Sequence, residues 1–167
     1  MHVLAHPNPA LKQKAAEVDP GTDRQLARLA KQMAKLMYAE RGIGLAATQV
    51  GVQKRIIVFD LGDEKRPVTL CNPVIVERSD ETATDEEGCL SVPGITVPIE
   101  RASRVVCEAI DLKGDPVRVE AEELFARMLQ HETDHLDGIL ILDRAAPEER
   151  KAAVRRYMEA LSAESAG

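Results

Sequence analysis

A chain of 167 residues, 44% apolar and 30% charged, has the size and composition of one globular domain spanning 1–167, and no window nears the ~18 consecutive apolar residues of a membrane span. A net charge of -6 gives no general attraction to phosphate backbones, so direct nucleic-acid recognition is not expected. The N-terminal "MHVLAHPNPALKQKAAEV" lacks secretory features, and Cys71, Cys89 and Cys107, with no C-x-x-C among them, suit free thiols in a cytoplasmic protein better than a disulfide framework or zinc ribbon.

In chain order, "TDRQ" (22–25) predicts an N-cap box, followed by Leu26, Leu29, Met33, Leu36 and Met37 at helical spacing up to about Glu40. "RGIGLAATQVG" (41–51) breaks that period and predicts a loop, and "RIIVFD" (55–60) predicts a strand. "PVTLCNPVIVERS" (67–79) and "ITVPIERASRVVCEAIDL" (95–112) read as strand runs broken by prolines, with "LKGDPV" turning into "VRVEA". "EELFARMLQHETDHL" (122–136) predicts a helix with acids in its first turn and Gly138 just past its end. "ILILD" then predicts a short strand, and "PEERKAAVRRYMEALSAES" a surface helix of mixed charge.

The helix at 122–136 carries the chemistry. His131 and His135 are four residues apart and stack on one face, so both rings can reach one cation. Glu132 is turned about 100° away and can approach a water beside that cation without binding it. Leu124, Met128, His131 and His135 fall on one stripe, which points the histidines into the core. Two buried imidazoles need polar partners, and a shared metal satisfies both, although a pair of hydrogen-bonded core histidines is the alternative.

A catalytic site of this kind needs a third protein ligand and an open position. The histidine expected six residues after His135 in one class of zinc peptidases is replaced by Ile141, and Glu148 and Glu149 lie at a solvated helix start. Among the cysteines, Cys71 and Cys107 sit inside strand patterns and read as small buried hydrophobes. Cys89 lies in the polar, glycine-bearing "DEEGCLSVPG", where an irregular backbone can aim its thiolate.

Three motifs in order, "GIGLAATQ" (42–49), "EGCLS" (87–91) and "QHETDH" (130–135), make the chain resemble the peptide deformylases, and "HPNPALKQKAAEV" is similar to that family's N-terminal stretch. Thr48 stands where many members have proline, and the segment after "SVPG" is variable. The resemblance implies an α+β fold, with antiparallel sheets around a central helix bearing the two histidines, an N-terminal helix and a C-terminal surface helix. It implies removal of the formyl group from newly made formyl-methionyl peptides. Cys89, His131 and His135 would be the metal ligands, with water completing the set and Glu132 as general base and acid. Gln49 and the backbone N–H of Leu90 would serve the developing oxyanion.

By the same likeness Ile43, Gly44 and Gly88 would line an extended substrate, and Leu124 and Met128 would form the methionine pocket. Glu87 and Arg101 match a family ion pair bracing the cysteine loop; a solvated surface pair is the alternative. The resemblance implies iron(II) in the cell, with zinc, nickel or cobalt also compatible with such ligands. It further implies nascent chains as partners and a station on the ribosome near the exit tunnel; a monomer is the default. Three rival readings are weaker: a zinc endopeptidase, a metal-binding protein without activity, and a dinucleotide site at "GIGLAA" followed by Asp60, which lacks the strand that should precede its glycines.

Overall fold

The computed structural model of the chain describes residues 1–62 and 66–166. Among these residues the strands are β1 (Gly44–Ala46), β2 (Ile56–Phe59), β3 (Val68–Arg78), β4 (Thr82–Cys89), β5 (Val92–Ala102), β6 (Arg104–Ile110) and β7 (Pro116–Glu122). The helices are α1 (Leu26–Ala39), α2 (Glu123–Leu136), α3 (Ile141–Arg144) and α4 (Pro147–Ala166). One antiparallel sheet has the order β1-β2-β3-β6-β7, and β4 pairs with β5 in a second. Helix α2 packs against strands of both, giving the expected α+β architecture with the histidine helix at its centre.

Helix α1 follows its apolar period, burying Leu26, Leu29, Ala30, Met33 and Met37 against β1 and β2. The cap expected of "TDRQ" does not form. Thr22 spends its hydroxyl on the Asp19 carbonyl, Asp23 accepts from the Gln25 N–H instead, and the helix starts only at Leu26. The loop expected at 41–51 contains the three-residue β1 and a 3-10 turn, Ala47–Val50. Strand β3 runs through its proline because a register shift between Cys71 and Val74 absorbs Asn72 and Pro73. The run at 95–112 divides into β5 and β6 at Ser103, and "DEEGCLSVPG" is regular strand and hairpin for most of its length.

"ILILD" is not a strand. Leu140, Ile141 and Leu142 are all buried, and the Asp143 carboxylate accepts the Leu140 N–H, which closes the helical turn of α3. A continuous apolar run does not distinguish a buried turn from a buried strand. Helix α4 is also more than a surface helix, since Ala153 and Tyr157 pack with Val92, Val97 and Ile99 of β5.

On β5, Val97, Ile99 and Arg101 alternate inward, the two-residue period of a strand with one face covered. A separate cluster joins α2 to the larger sheet through Ala126, Met128, Leu129 and Leu136 with Ile57, Leu70 and Cys107. Two residues past the end of α2 comes Gly138, whose φ of 74° and approach to Lys12 admit no side chain: a Cβ there would lie 2.4 Å from the Lys12 carbonyl oxygen.

Candidate active site

Two local periodicities converge on one point. Glu87 and Cys89, two apart at the end of β4, share the strand face turned toward α2. His131 and His135, one turn apart on α2, meet them. The ligating atoms of Cys89, His131 and His135 lie within 4.8 Å of one another. Cys89 Sγ is 3.3 Å from His135 Nε2, and the two histidine Nε2 atoms are 3.2 Å apart. The aiming device is narrower than an irregular loop: a register shift between Gly88 and Cys89, just before the two-residue link Leu90–Ser91.

The surroundings hold these groups in one orientation. The Glu87 carboxylate accepts from His131 Nδ1 at 2.8 Å, from Arg101 Nε and Nη2 at 2.9 and 3.0 Å, and from Arg127 Nη1 at 2.7 Å. Arg101 also reaches Asp134 at 2.6 Å, and Asp134 receives a second arginine, Arg144, through Nε and Nη2. The side chains of Glu87 and Arg101 are each 5% exposed, which removes the solvated-pair alternative. Sequence reasoning did not single out Arg127 or Asp134. Arg127 precedes His131 by one helical turn, which was the available signal.

Gln49 sits in the 3-10 turn beside the cluster. Its Oε1 accepts the Ala46 N–H at 3.0 Å, and its Nε2 donates to Ser91 Oγ at 3.1 Å while lying 3.7 Å from Cys89 Sγ. Thr48 donates its buried hydroxyl to the His135 carbonyl at 3.0 Å, tying that turn to the end of α2. Glu132 is buried, with Oε1 3.7 Å from His131 Nε2, and Oε2 has no hydrogen-bond partner among the described residues. Gly44 makes room for it, since a Cβ at that position would come within 3.2 Å of the Glu132 side chain.

A cleft of about 740 Å³ opens over these groups, within the range of small-ligand sites. Ile43, Gly44 and Gly88 line it, as do Leu90, Leu124 and Met128. Met128 is buried beside the histidines, but Leu124 is 58% exposed. The stripe drawn from the sequence therefore leaves the core at its first residue, and Leu124 lies at the cleft's edge.

The charges are arranged for a cation. Burial alone would raise the Glu87 carboxyl, but His131 and Arg101 outweigh it and hold the group well below the usual carboxylate range. Burial likewise opposes ionisation of Cys89, yet His135 and His131 bring its thiol far below the ordinary value. The His131 ring is raised despite burial, by its bonds to Cys89 and Glu87. Burial pushes the Glu132 carboxyl up. Cys71 and Cys107 differ: burial drives both thiols up to about 11, which leaves them protonated and inert.

These residues fit a metal ion. With Nδ1–H donating to Glu87, a neutral His131 ring presents a lone pair at Nε2, 3.2 Å from His135 Nε2 and beside the Cys89 sulfur, a donor set that one shared cation satisfies. Bonds of about 2.0–2.3 Å to nitrogen and sulfur in a tetrahedron place ligand atoms roughly 3.3–3.7 Å apart, close to the observed separations.

The sequence profile described as polypeptide deformylase matches residues 1–151. The chain is similar to a peptide deformylase of Alkalilimnicola ehrlichii, at 45% identity over 96% of this chain and 90% of that protein. It is also similar to a peptide deformylase of Dictyoglomus thermophilum, at 50% identity over 86% of this chain and 92% of that one. Among solved structures, a peptide deformylase from Legionella pneumophila superposes with a TM-score of 0.89 and 38% identity, covering 98% of this chain and 96% of the other.

Proposed function

The chain belongs to the polypeptide deformylase family, and from that premise we propose how its residues divide the reaction. It is a metal-dependent hydrolase that removes the N-formyl group from newly synthesised polypeptides. The observation carrying the assignment of roles is the convergence of one thiol from β4 and two imidazoles from α2, with a buried carboxylate one residue after the first imidazole.

Cys89, His131 and His135 hold the metal, Glu87 fixes the His131 tautomer, and Arg101 and Arg127 fix Glu87. When bound, the ion supplies Lewis acidity toward the formyl oxygen and acidifies the attacking water. Glu132 takes the proton of that water as its oxygen bonds to the formyl carbon, then returns it to the departing amine as the C–N bond breaks. Its raised affinity for a proton suits both halves of the transfer. The Gln49 carboxamide and the Leu90 N–H donate to the oxygen that gains charge between those events. Formate and a free amino terminus result.

Ile43, Gly44 and Gly88 run along an extended peptide, while Met128, with Leu124 at the rim, takes the methionine side chain. Residues 1–167 form one catalytic domain, which acts as a monomer in the cytoplasm; no helix among the described residues is long and apolar enough to cross a membrane. Acting on nascent chains suits a station at the ribosome near the exit tunnel, where the exposed basic residues of α4, including Lys151, Arg155 and Arg156, would offer a contact surface.

The ion is iron(II) in the cell, with zinc, nickel and cobalt accepted by the same ligands. A thiolate ligand in an open cleft exposes an iron(II) form to oxygen and peroxide. Enzyme prepared without oxygen should contain one iron per chain, lose activity in air, and last longer once nickel replaces the iron. Equal lifetimes for the two forms, or a different ion in the anaerobic preparation, would contradict this assignment.

A further inference from the structure

We propose that Ser91 is a positioning residue, whose buried hydroxyl aims the Gln49 carboxamide at the reacting carbonyl. The inference rests on the oxyanion role assigned to Gln49 above. A carboxamide has an accepting end and a donating end of nearly the same shape, so its neighbours must decide which end faces the chemistry. Here the Ala46 N–H, 3.0 Å from Oε1, calls for the acceptor on its side and thereby turns Nε2 toward the cleft. Nε2 carries two hydrogens. Ser91 Oγ accepts one at 3.1 Å, and the other is directed at Cys89 Sγ, a weak acceptor 3.7 Å away on the cluster side, where a substrate oxygen could replace it.

Without the Ser91 oxygen, the amide would keep the Ala46 N–H at one end and only the long 3.7 Å contact to the Cys89 sulfur at the other, and could pivot about its Oε1. A donor that stabilises a transition state must be in place before charge develops, and modest misplacement is costly. Ser91 is fully buried, so water cannot substitute freely for its hydroxyl. Its main chain is held as well. The Ser91 N–H lies 3.4 Å from Cys89 Sγ, and its carbonyl accepts the His6 N–H at 2.8 Å. The same N-terminal segment donates from the Leu4 N–H to the Gln49 carbonyl at 2.7 Å, so both partners are fixed relative to one strap.

A double-mutant cycle tests this, on metal-loaded full-length enzyme with a formyl-methionyl tripeptide. Ser91→Ala should lower kcat about tenfold with KM within about twofold, because the lost interaction belongs to the transition state. Metal content should stay at the parent value, and the thiolate absorption of the cobalt-loaded form should not change. In a Gln49→Leu background, adding Ser91→Ala should cost less than about twofold further.

Three results would overturn the proposal: parent-like kcat in Ser91→Ala, the same loss with and without Gln49, or a cobalt spectrum altered in step with the rate. The last would mean that Ser91 acts on Cys89. If Gln49→Leu alone turned over like the parent, the oxyanion role itself would fall, a distinguishable outcome that takes this proposal with it. Should Ser91→Ala not fold, Ser91→Thr carries the test. It keeps the hydroxyl, so kcat should stay within about threefold of the parent, and a tenfold loss there also overturns the proposal.

Discussion

Cys89→Ala is expected to purify without tightly held metal and without measurable deformylase activity. In the proposed ligand set the thiolate is one of three donors and would carry the negative charge that balances the ion; two neutral imidazoles alone make a weaker and less selective site. The comparison with the other two thiols gives the test its force. Cys71 and Cys107 are buried within hydrophobic clusters, and burial keeps their thiols protonated. Cys71→Ala and Cys107→Ala should each cost about 1–2 kcal/mol of stability and leave one metal per chain. A Cys89→Ala enzyme with a full complement of metal and normal turnover would place the third ligand elsewhere.

Glu132→Gln should separate binding from chemistry. The carboxylate lies outside the trio that could hold a metal, so metal stoichiometry should be that of the parent. Replacing it with an amide keeps shape and much of the hydrogen bonding but removes the proton acceptor, and a loss of roughly 10²-fold or more in kcat is expected. KM should move little, because the proton is transferred only on the way to the transition state. Loss of metal in proportion to rate would instead make Glu132 a structural residue.

The parts of this site legible in sequence are those carried by local periodicity. A four-residue spacing on a strong helix former predicts His131 and His135 on one face, and the structure places them there. What escaped depends on partners far away in the chain. Arg101 and Asp134 meet across 33 residues, and no local pattern pairs them, although inward alternation through Val97 and Ile99 marks Arg101 as a residue that must be buried. Ser91 stood inside a recognised motif, yet its hydroxyl acquires a task only when Gln49, 42 positions earlier, folds beside it.

Thr48 is similar. It reads as a departure from the family's usual proline, and its bond to the His135 carbonyl is visible only in three dimensions. The helix α3 was missed for another reason. Three consecutive buried apolar residues satisfy a buried strand as well as a buried turn, and the deciding feature is the cap supplied by Asp143.

The measurement that tests the account most directly is product analysis of one anaerobically prepared, metal-loaded enzyme on four peptides: formyl-Met-Ala-Ser, its formyl-norleucine counterpart, acetyl-Met-Ala-Ser and unformylated Met-Ala-Ser. In the proposed site the attacked carbonyl would fit among Cys89, His131, His135, Gln49 and the Leu90 amide, where a formyl hydrogen would be accepted and an acetyl methyl crowded out. The apolar pocket distinguishes methionine from norleucine weakly, since a change of about one methylene there is worth roughly 1–3 kcal/mol. Formate should therefore be released readily from the first peptide and nearly as well from the second, while the other two remain essentially intact. Efficient internal peptide cleavage without formate release would contradict the account and favour an endopeptidase built on the same helix.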